Sequence, residues 1–259
     1  MRLENRVAFI TGGGVGIGKA ISMMFAKEGA LVSLAAKSTK QMEDVAREIR
    51  ALDRKALVNT MDITSVEQVN IAVKNTIEKF GKIDILVNNS GIAGPTAPIY
   101  EVTPEQWDEI FAVNLRGAFL CCRAIVPTMI EYGYGKIVNI SSTAAKKPLA
   151  NRSPYPATKM GLIGFTRGLA VELGKFGITA NAICPGPVAG PRIEMVCDQV
   201  AAKEGVPRDV VKQRFLSQSP LNCLISADDV AKLTVFLAAE DSSNITGQDI
   251  NVDAGALMD

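Results

Sequence analysis

The stretch TGGGVGIG, residues 11–18, follows four apolar residues at 7–10 and opens a run with helical spacing. Five of its eight positions are glycine, and each glycine costs ordering entropy when the chain folds. At a strand-to-helix turn the cluster has a physical reason. A helix N-terminus offers free N–H groups and a partial positive charge, and a diphosphate docks there when no side chains intervene. The spacing G-x-x-x-G-x-G on Gly12, Gly16 and Gly18 gives each a task. Gly12 permits the tight turn, Gly16 lets phosphate or ribose approach, and Gly18 lets helix pack on strand. Taken in isolation, the motif is equally a generic glycine turn.

Outward from this turn, short apolar runs alternate with segments of helical period, which predicts βαβ units and a parallel sheet. The runs are VAFI (7–10), LVSLA (31–35), ALVN (56–59), IDILV (83–87), KIVNI (136–140), ITANAI (178–183) and QDINV (248–252). Between them, Ile17, Ala20, Ile21, Met24 and Phe25 share a helical stripe, as do Met42, Val45, Ala46 and Ile49, and Val66, Val69, Val73 and Phe80. Thr103 before Pro104, and Ser226 before Ala227-Asp228-Asp229, carry helix-start signals. The expected fold class is α/β: one domain spanning 1–259, a doubly wound parallel sheet of seven strands. One segment breaks the rhythm. Residues 185–226, opening PGPVAGPR, form a long excursion whose middle, about 193–216, reads as one or two short helices with Ile193, Val196, Val200, Val211 and Phe215 apolar. Long insertions are usually functional, and residues 190–225 are expected to form a substrate lid.

Bulk properties narrow the function. Of 259 residues 47% are apolar and 21% charged, which suits a globular protein with a sizeable core. A net charge of +1 points to neither nucleic acid nor an anionic membrane surface. No contiguous apolar run approaches the ~20 residues of a membrane span. The opening MRLENRVAFIT carries no secretory signature, so a cytoplasmic location is expected. Cys121, Cys122, Cys184, Cys197 and Cys223 show no C-x-x-C spacing and suit reduced, buried thiols. The chain has no histidine. That removes Ser-His-Asp hydrolases, Cys-His proteases and histidine-ligated zinc, and no metal is expected.

Proton transfer must therefore use another side chain. Tyr155 and Lys159 stand one helical turn apart, about 6 Å along the axis. By itself such a pair is more often a packed aromatic with a snorkelling lysine. Ser142, directly after the run KIVNIS, lies at the carboxyl edge of the sheet where ligands of open α/β folds bind. A free phenol titrates near ~10. A cation ~4 Å away at an effective dielectric of ~20 contributes about 4 kcal/mol, or roughly three pKa units, with desolvation opposing it.

Read in order, these residues resemble the short-chain dehydrogenase/reductases over essentially the whole chain, from VAFITGGGVGIG to ITGQDINVDAG. Beyond the glycine turn, the resemblance rests on Asp62, on Asn88-Asn89-Ser90-Gly91 and on Asn114 within VNLRG. It continues through Ser142 within NISS, Tyr155-Pro156-Ala157-Thr158-Lys159 and Pro185-Gly186. It implies a Rossmann-fold oxidoreductase moving a hydride between a nicotinamide cofactor and a secondary alcohol or ketone. In such an enzyme Tyr155 is the general acid or base, and Ser142 bonds the substrate oxygen. Lys159 lowers the phenol pKa and holds the nicotinamide ribose, while Asn114, in mid-helix, positions a water linking Lys159 to solvent. Read alone, Asn114 is a helix polar residue bonding its own backbone. Cofactor contacts fall on Gly12, Gly14, Gly16, Ile17 and Gly18. Asp62 and Ile63 border the adenine, Asn89 and Gly91 the adenosine-side ribose. Pro185, Gly186 and the Val188 N–H and C=O meet the nicotinamide end, with Tyr155 and Lys159. Asp62 reads equally as a helix cap. The resemblance also implies a homotetramer built through helices around 104–130 and 153–175 and the last strand.

The usual acid about 20 residues past the glycine turn is missing; Ala36 is followed by Lys37 and Ser38. A 2′-phosphate fits there, which favours NADP. Val15, where NADP-using relatives often carry a second basic residue, weighs against it, and NAD stays the alternative. The chain departs from the family pattern at Gly190, usually threonine, at Ala254, usually glycine, and at Ser90, usually alanine. Arg152 and Arg192 flank the expected site, as binders of an anionic substrate or as surface residues. The functional expectation is an NADP(H)-dependent oxidoreductase of alcohols and ketones, with 3-oxoacyl-thioester or other carbonyl reduction among its forms. Alternatives are an NAD-dependent sugar, polyol or hydroxy-compound dehydrogenase, and, in a different class, a non-catalytic dinucleotide-sensing regulator. The intact Ser142–Tyr155–Lys159 set argues against the last.

Overall fold

Side chains alternate across each strand, and that period of two sorts the apolar residues into two cores. Val7 and Phe9 enter one cluster, Ala8 and Ile10 the other; Leu86 faces Val7's side, while Ile85 and Val87 face the opposite one. A computed structural model describes residues 1–258, apart from the side chains of Arg192, Gln199 and Lys203. In chain order its main elements are β1 (Val7–Thr11), α1 (Gly16–Lys27), β2 (Leu31–Ala36), α2 (Thr39–Arg50), β3 (Ala56–Thr60), α3 (Val66–Phe80) and β4 (Ile85–Asn88). Then come α4 (Pro104–Phe111), α5 (Gly117–Tyr132), β5 (Gly135–Ile140), α6 (Pro154–Leu173), β6 (Ile178–Pro185), α7 (Pro191–Glu204), α8 (Arg208–Leu216), α9 (Ala227–Ala238) and β7 (Asp249–Val252). Among the described residues the strands form one seven-stranded parallel sheet in the order β3-β2-β1-β4-β5-β6-β7. Each strand lies within two residues of its expected run. Helices α1, α2 and α9 cover one face and α3, α5 and α6 the other.

The helix starts follow local chemistry. Thr103 and Gln106 close a capping box on α4, Ser226 and Asp229 another on α9, and Ser65 accepts from the Gln68 N–H at α3. The cap of α3 is therefore Ser65 and not Asp62. Ser142 lies two residues past the end of β5, because its hydroxyl caps a 3-10 turn at Thr143–Ala145 instead of extending the strand.

Joined by a five-residue π-helical turn, Ala112–Arg116, α4 and α5 make one rod, Pro104–Tyr132. Contiguous apolar runs gave no hint of it, yet by length and composition this helix is long and apolar enough to cross a membrane. Part of that hydropathy serves the core, where Ile110, Leu120, Cys121, Ile125 and Met129 are buried. The excursion after β6 forms the α7–α8 hairpin, with a small core of its own at Ile193, Cys197 and Val211. Ion pairs of Arg208 with Glu194 and Asp198, and of Arg214 with Glu204, tie it together.

Removing the α9 cap with Ser226→Ala should cost about 1 kcal/mol, read as a melting point lower by about 2–4 °C. The Asp229 carboxyl is held below its usual range, first by the Ser226 N–H and then by the Ser226 hydroxyl, with Lys232 adding less against partial burial. Its contribution is thus complete above the unfolded carboxyl value of ~3.9 and fades as pH falls through the depressed folded value. The stability gap between wild type and Asp229→Asn should accordingly close on acidification below about pH 4, followed by chemical denaturation.

Candidate active site

In this strand order the chain path reverses between β1 and β4, and the crevice beyond their carboxyl ends is where open α/β sheets take ligands. The glycine turn lies there. Gly12 adopts φ +66° and donates its N–H to Ala35 O at 2.8 Å. A Cβ on Gly18 would collide with the Gly12 carbonyl and lie 2.6 Å from Asn89 Nδ2, so this glycine lets α1 seat on the turn. Gly16, at φ +52°, faces open space: nothing lies within 4 Å of where its Cβ would be. Gly14 abuts the Gln41 backbone at the start of α2, which would lie 3.1 Å from a Cβ at that position. Val15 precedes α1 in extended conformation with no side-chain cap, so the first-turn amides around Gly16, Ile17 and Gly18 face the crevice without helical partners. Open space against unpaired amides and a helix dipole is what a diphosphate requires.

Asn89 closes the β1–β4 crevice from the far side. Its Nδ2 donates to the Thr11 carbonyl at 3.0 Å, and its N–H and that of Ser90 donate to Thr11 Oγ1 at 3.0 Å each. Asp62 sits past β3, where Oδ1 accepts from the Thr64 N–H and hydroxyl and Oδ2 meets Lys37 Nζ at 2.9 Å. Partial burial pushes this carboxyl up, but the Thr64 N–H, Lys37 and the Thr64 hydroxyl together hold it below its usual range. Ile63, expected to border the adenine, is only 7% exposed and packs against Gly117. What it can offer the crevice is its backbone.

Further along, helix α6 starts at Pro154 and carries Tyr155 and Lys159 on successive turns. Lys159 is 4% exposed; its ammonium donates to the Ile140 carbonyl at 2.8 Å and lies 5.9 Å from the centre of the Tyr155 ring. The guanidinium of Arg152 stands 5.5 Å from the same ring and donates to Ala93 O and Thr96 Oγ1. Arg152 thus ties the segment after β4 to the start of α6. The side chain of Arg192 lies outside the described residues. Ser142 Oγ accepts from the Ala144 N–H at 3.1 Å. With one lone pair so engaged, the hydroxyl keeps its hydrogen to donate toward a substrate oxygen.

Asn114 lies in the π-helical turn and is 1% exposed. Its side-chain partners lie on other segments of the chain. Its Oδ1 accepts from the Ile92 N–H at 2.8 Å, and its Nδ2 donates to Ile92 O at 3.0 Å and to Thr158 Oγ1 at 3.1 Å. A Cβ on Gly91 would fall 3.3 Å from Asn114 Oδ1 and 3.4 Å from Lys159 Nζ, so the two side chains converge at that glycine. At the end of β6, Pro185 O accepts from the Thr143 hydroxyl, and just beyond it Gly186 packs against Asp253. Val188 bridges to Ile225 through the bonds Ile225 N–H to Pro187 O and Ala189 N–H to Ile225 O. In a parallel bridge the middle residue turns its own N–H and C=O the other way, as a carboxamide partner must.

Two supporting groups escaped the sequence reading. Ser141 Oγ donates to Lys159 O at 2.8 Å, and Thr158 joins Asn114 to Tyr155 O. Both are small polar residues beside motif positions, and their burial was the missing signal.

The short chain dehydrogenase family model matches residues 6–199. The chain belongs to this family. It is 38% identical over 258 residues to the (2S)-[(R)-hydroxy(phenyl)methyl]succinyl-CoA dehydrogenase subunit BbsD of Thauera aromatica, covering 100% of this chain and 99% of that one. A single-substitution variant of actinorhodin polyketide ketoreductase, solved with NADPH, superposes with a TM-score of 0.92 at 32% identity over 97% of both chains. NAD+-bound xylitol dehydrogenase superposes at 0.93 with 29% identity, over 98% of this chain and 100% of that one. The protein is therefore an NAD(P)-dependent oxidoreductase acting on CH–OH groups.

Two glycine variants separate packing from ligand access. Gly18→Ala should lower stability by about 1–3 kcal/mol through overpacking. Gly16→Ala should cost about 1–2 kcal/mol for its left-handed backbone, with nucleotide affinity falling about tenfold because the methyl enters open crevice. Urea unfolding and nucleotide fluorescence titration read the two effects separately.

Proposed function

We propose that the chain moves a hydride between NADP(H) and a secondary alcohol or ketone, with Ser142, Tyr155 and Lys159 as catalytic residues and Asn114 as their positioning residue. The carrying observation is the buried Lys159 ammonium beside the Tyr155 ring, with the Ser142 hydroxyl left as a donor. The nicotinamide supplies or accepts the hydride. Tyr155 gives its proton to the carbonyl oxygen in reduction and takes one from the alcohol in oxidation. Ser142 donates to that oxygen as charge develops on it. Lys159 stabilises negative charge on the phenolic oxygen whenever its proton has left. Asn114, held by Ile92 and Thr158 beside Gly91 and the lysine, is assigned the positioning of a water that links Lys159 to solvent.

The diphosphate is assigned to Gly12, Gly14, Gly16, Ile17 and Gly18, and a 2′-phosphate to Lys37 and Ser38. Asp62 with the Ile63 backbone takes the adenine, and Asn89 and Gly91 the adenosine-side ribose. Pro185, Gly186 and Val188 take the nicotinamide end, with Tyr155 and Lys159. Residues 1–259 act as one catalytic domain in which 190–225, the α7–α8 hairpin and its flanks, serve as the substrate lid. Similarity to a protein named for a succinyl-CoA substrate and to a polyketide ketoreductase supports reduction of 3-oxoacyl thioesters and related carbonyls. A second reading, an NAD-dependent polyol dehydrogenase, is favoured by the Lys37–Asp62 ion pair, which engages the lysine meant for the phosphate. The protein is assigned to the cytoplasm, consistent with its free cysteines, of which Cys121, Cys122, Cys184 and Cys197 are buried.

A homotetramer is proposed through the outer face of α4–α6. A cleft of about 550 Å³ there is lined by Phe111, Leu115, Phe119, Gly161 and Phe165, and Gly164 and Gly168 leave open space along the same helix. Phe119→Glu should lower the mass read by light scattering; a wild-type monomer would remove the proposal.

A panel of ketones and alcohols, offered with each nucleotide and read at the nicotinamide absorbance, tests the activity. Tyr155→Phe should lower kcat about 10²–10⁴-fold and Ser142→Ala about 10²–10³-fold, the latter with nucleotide titrations unchanged. Undiminished turnover by Tyr155→Phe would defeat the assignment.

A further inference from the structure

The ends of β2 and β3 are tied by the Met61 N–H to Ala36 O bond, at 2.9 Å, and each strand delivers one charge just beyond it. The two charges are unequally held. Asp62 is fixed: its Oδ1 takes two bonds from Thr64, and its N–H donates to Gln68 Oε1 at 2.7 Å. Lys37 is the loose partner, with 69% of its side chain exposed against 31% for Asp62. Its ammonium meets Asp62 Oδ2 at 2.9 Å. Next to it in the chain, Ser38 precedes α2 and does not use its hydroxyl to cap the helix, so the first α2 amides have no side-chain cap from it.

We infer that Asp62 sets cofactor choice by holding Lys37: the Lys37–Asp62 pair competes with the 2′-phosphate of NADP(H) for the lysine and narrows discrimination between the two nucleotides. This rests on the dinucleotide-binding reading above and goes beyond it by giving Asp62 a role opposed to NADP. An exposed ion pair is weak, so a phosphate dianion draws the lysine across. NAD(H), with a 2′-hydroxyl there, leaves the pair closed. An Asp62 that only borders the adenine would instead serve both nucleotides alike.

The test is a titration of NADPH and NADH by fluorescence, with 2′,5′-ADP and 5′-AMP titrated calorimetrically as non-redox probes. Asp62→Asn keeps an oxygen for the Thr64 bonds and should raise the NADPH:NADH affinity ratio about twofold to fivefold; Asp62→Ser serves where that variant does not fold. Lys37→Gln should lower the ratio by a similar factor. In the Lys37→Gln background, Asp62→Asn should leave the ratio almost unchanged, because its effect passes through the lysine. Equal weakening of both nucleotides by Asp62→Asn overturns the inference. So does a full Asp62→Asn effect without the lysine, which would be direct repulsion of the phosphate by the carboxylate. Wild-type protein that binds neither nucleotide overturns the dinucleotide reading itself, and this inference with it.

Discussion

A buried ammonium has to be held, and in this protein the holding of Lys159 organises the site. Desolvating a lysine is costly unless its protons find acceptors, and the Ile140 carbonyl provides one because β5 ends there while α6 passes over it. That one bond joins the sheet edge to the helix bearing Tyr155. The second tie, Ser141 to the Lys159 carbonyl, anchors the same turn of α6 from the next residue of the chain. The distance from ammonium to phenol ring is therefore fixed by backbone at both ends, and a flexible side chain becomes a positioned charge. Asn114 completes the enclosure by clamping Ile92 on both sides, and the π-helical turn accompanies that placement.

Beneath this layer the strands carry a polar ladder. Asn88 donates to Asn139 at 2.8 Å, Asn139 to Thr166 at 2.8 Å, and Thr166 to the Leu162 carbonyl of α6. The first two links cross from one element to its neighbour, β4 to β5 to α6, and the third closes within α6. A fully apolar floor would pack as well but fix register less sharply, since hydrogen bonds are directional and apolar contacts are not. Register matters here because a slip of one residue would turn Ser142 away from the crevice.

Most of the fold was legible in the sequence. The short apolar runs VAFI and IDILV mark strands with two buried faces, and Thr103 and Ser226 mark helix starts through chemistry local to three residues. What stayed hidden depends on partners distant in the chain. Ser142 looks like the end of a strand until its hydroxyl is seen to cap the following turn. Asn114 reads as a mid-helix polar residue because its partner, Ile92, lies 22 positions away. Lys37 and Asp62 each have a plausible separate meaning, and only the pairing of β2 with β3 brings them together. Thr103 marks the start of the helix around 104–130, but the π-helical turn that joins α4 to α5 within it leaves no mark in the sequence. Among the family-pattern positions, Ala254 sits at φ +58°, where an L side chain is strained, so the usual glycine has a backbone reason.

The site thus has parts held by different forces. The floor, from the glycine turn to Ser142, is bound into the sheet by backbone hydrogen bonds and a ladder of buried amides. The hairpin of α7 and α8 is bound to itself, through a small apolar core and ion pairs that begin and end within it. Substitutions on the outward side of that hairpin, such as at Met195, leave the floor's hydrogen bonds untouched. A floor fixed by the sheet and an insertion with a core of its own can vary independently, so substitutions confined to the hairpin need not disturb the bonds that hold Lys159.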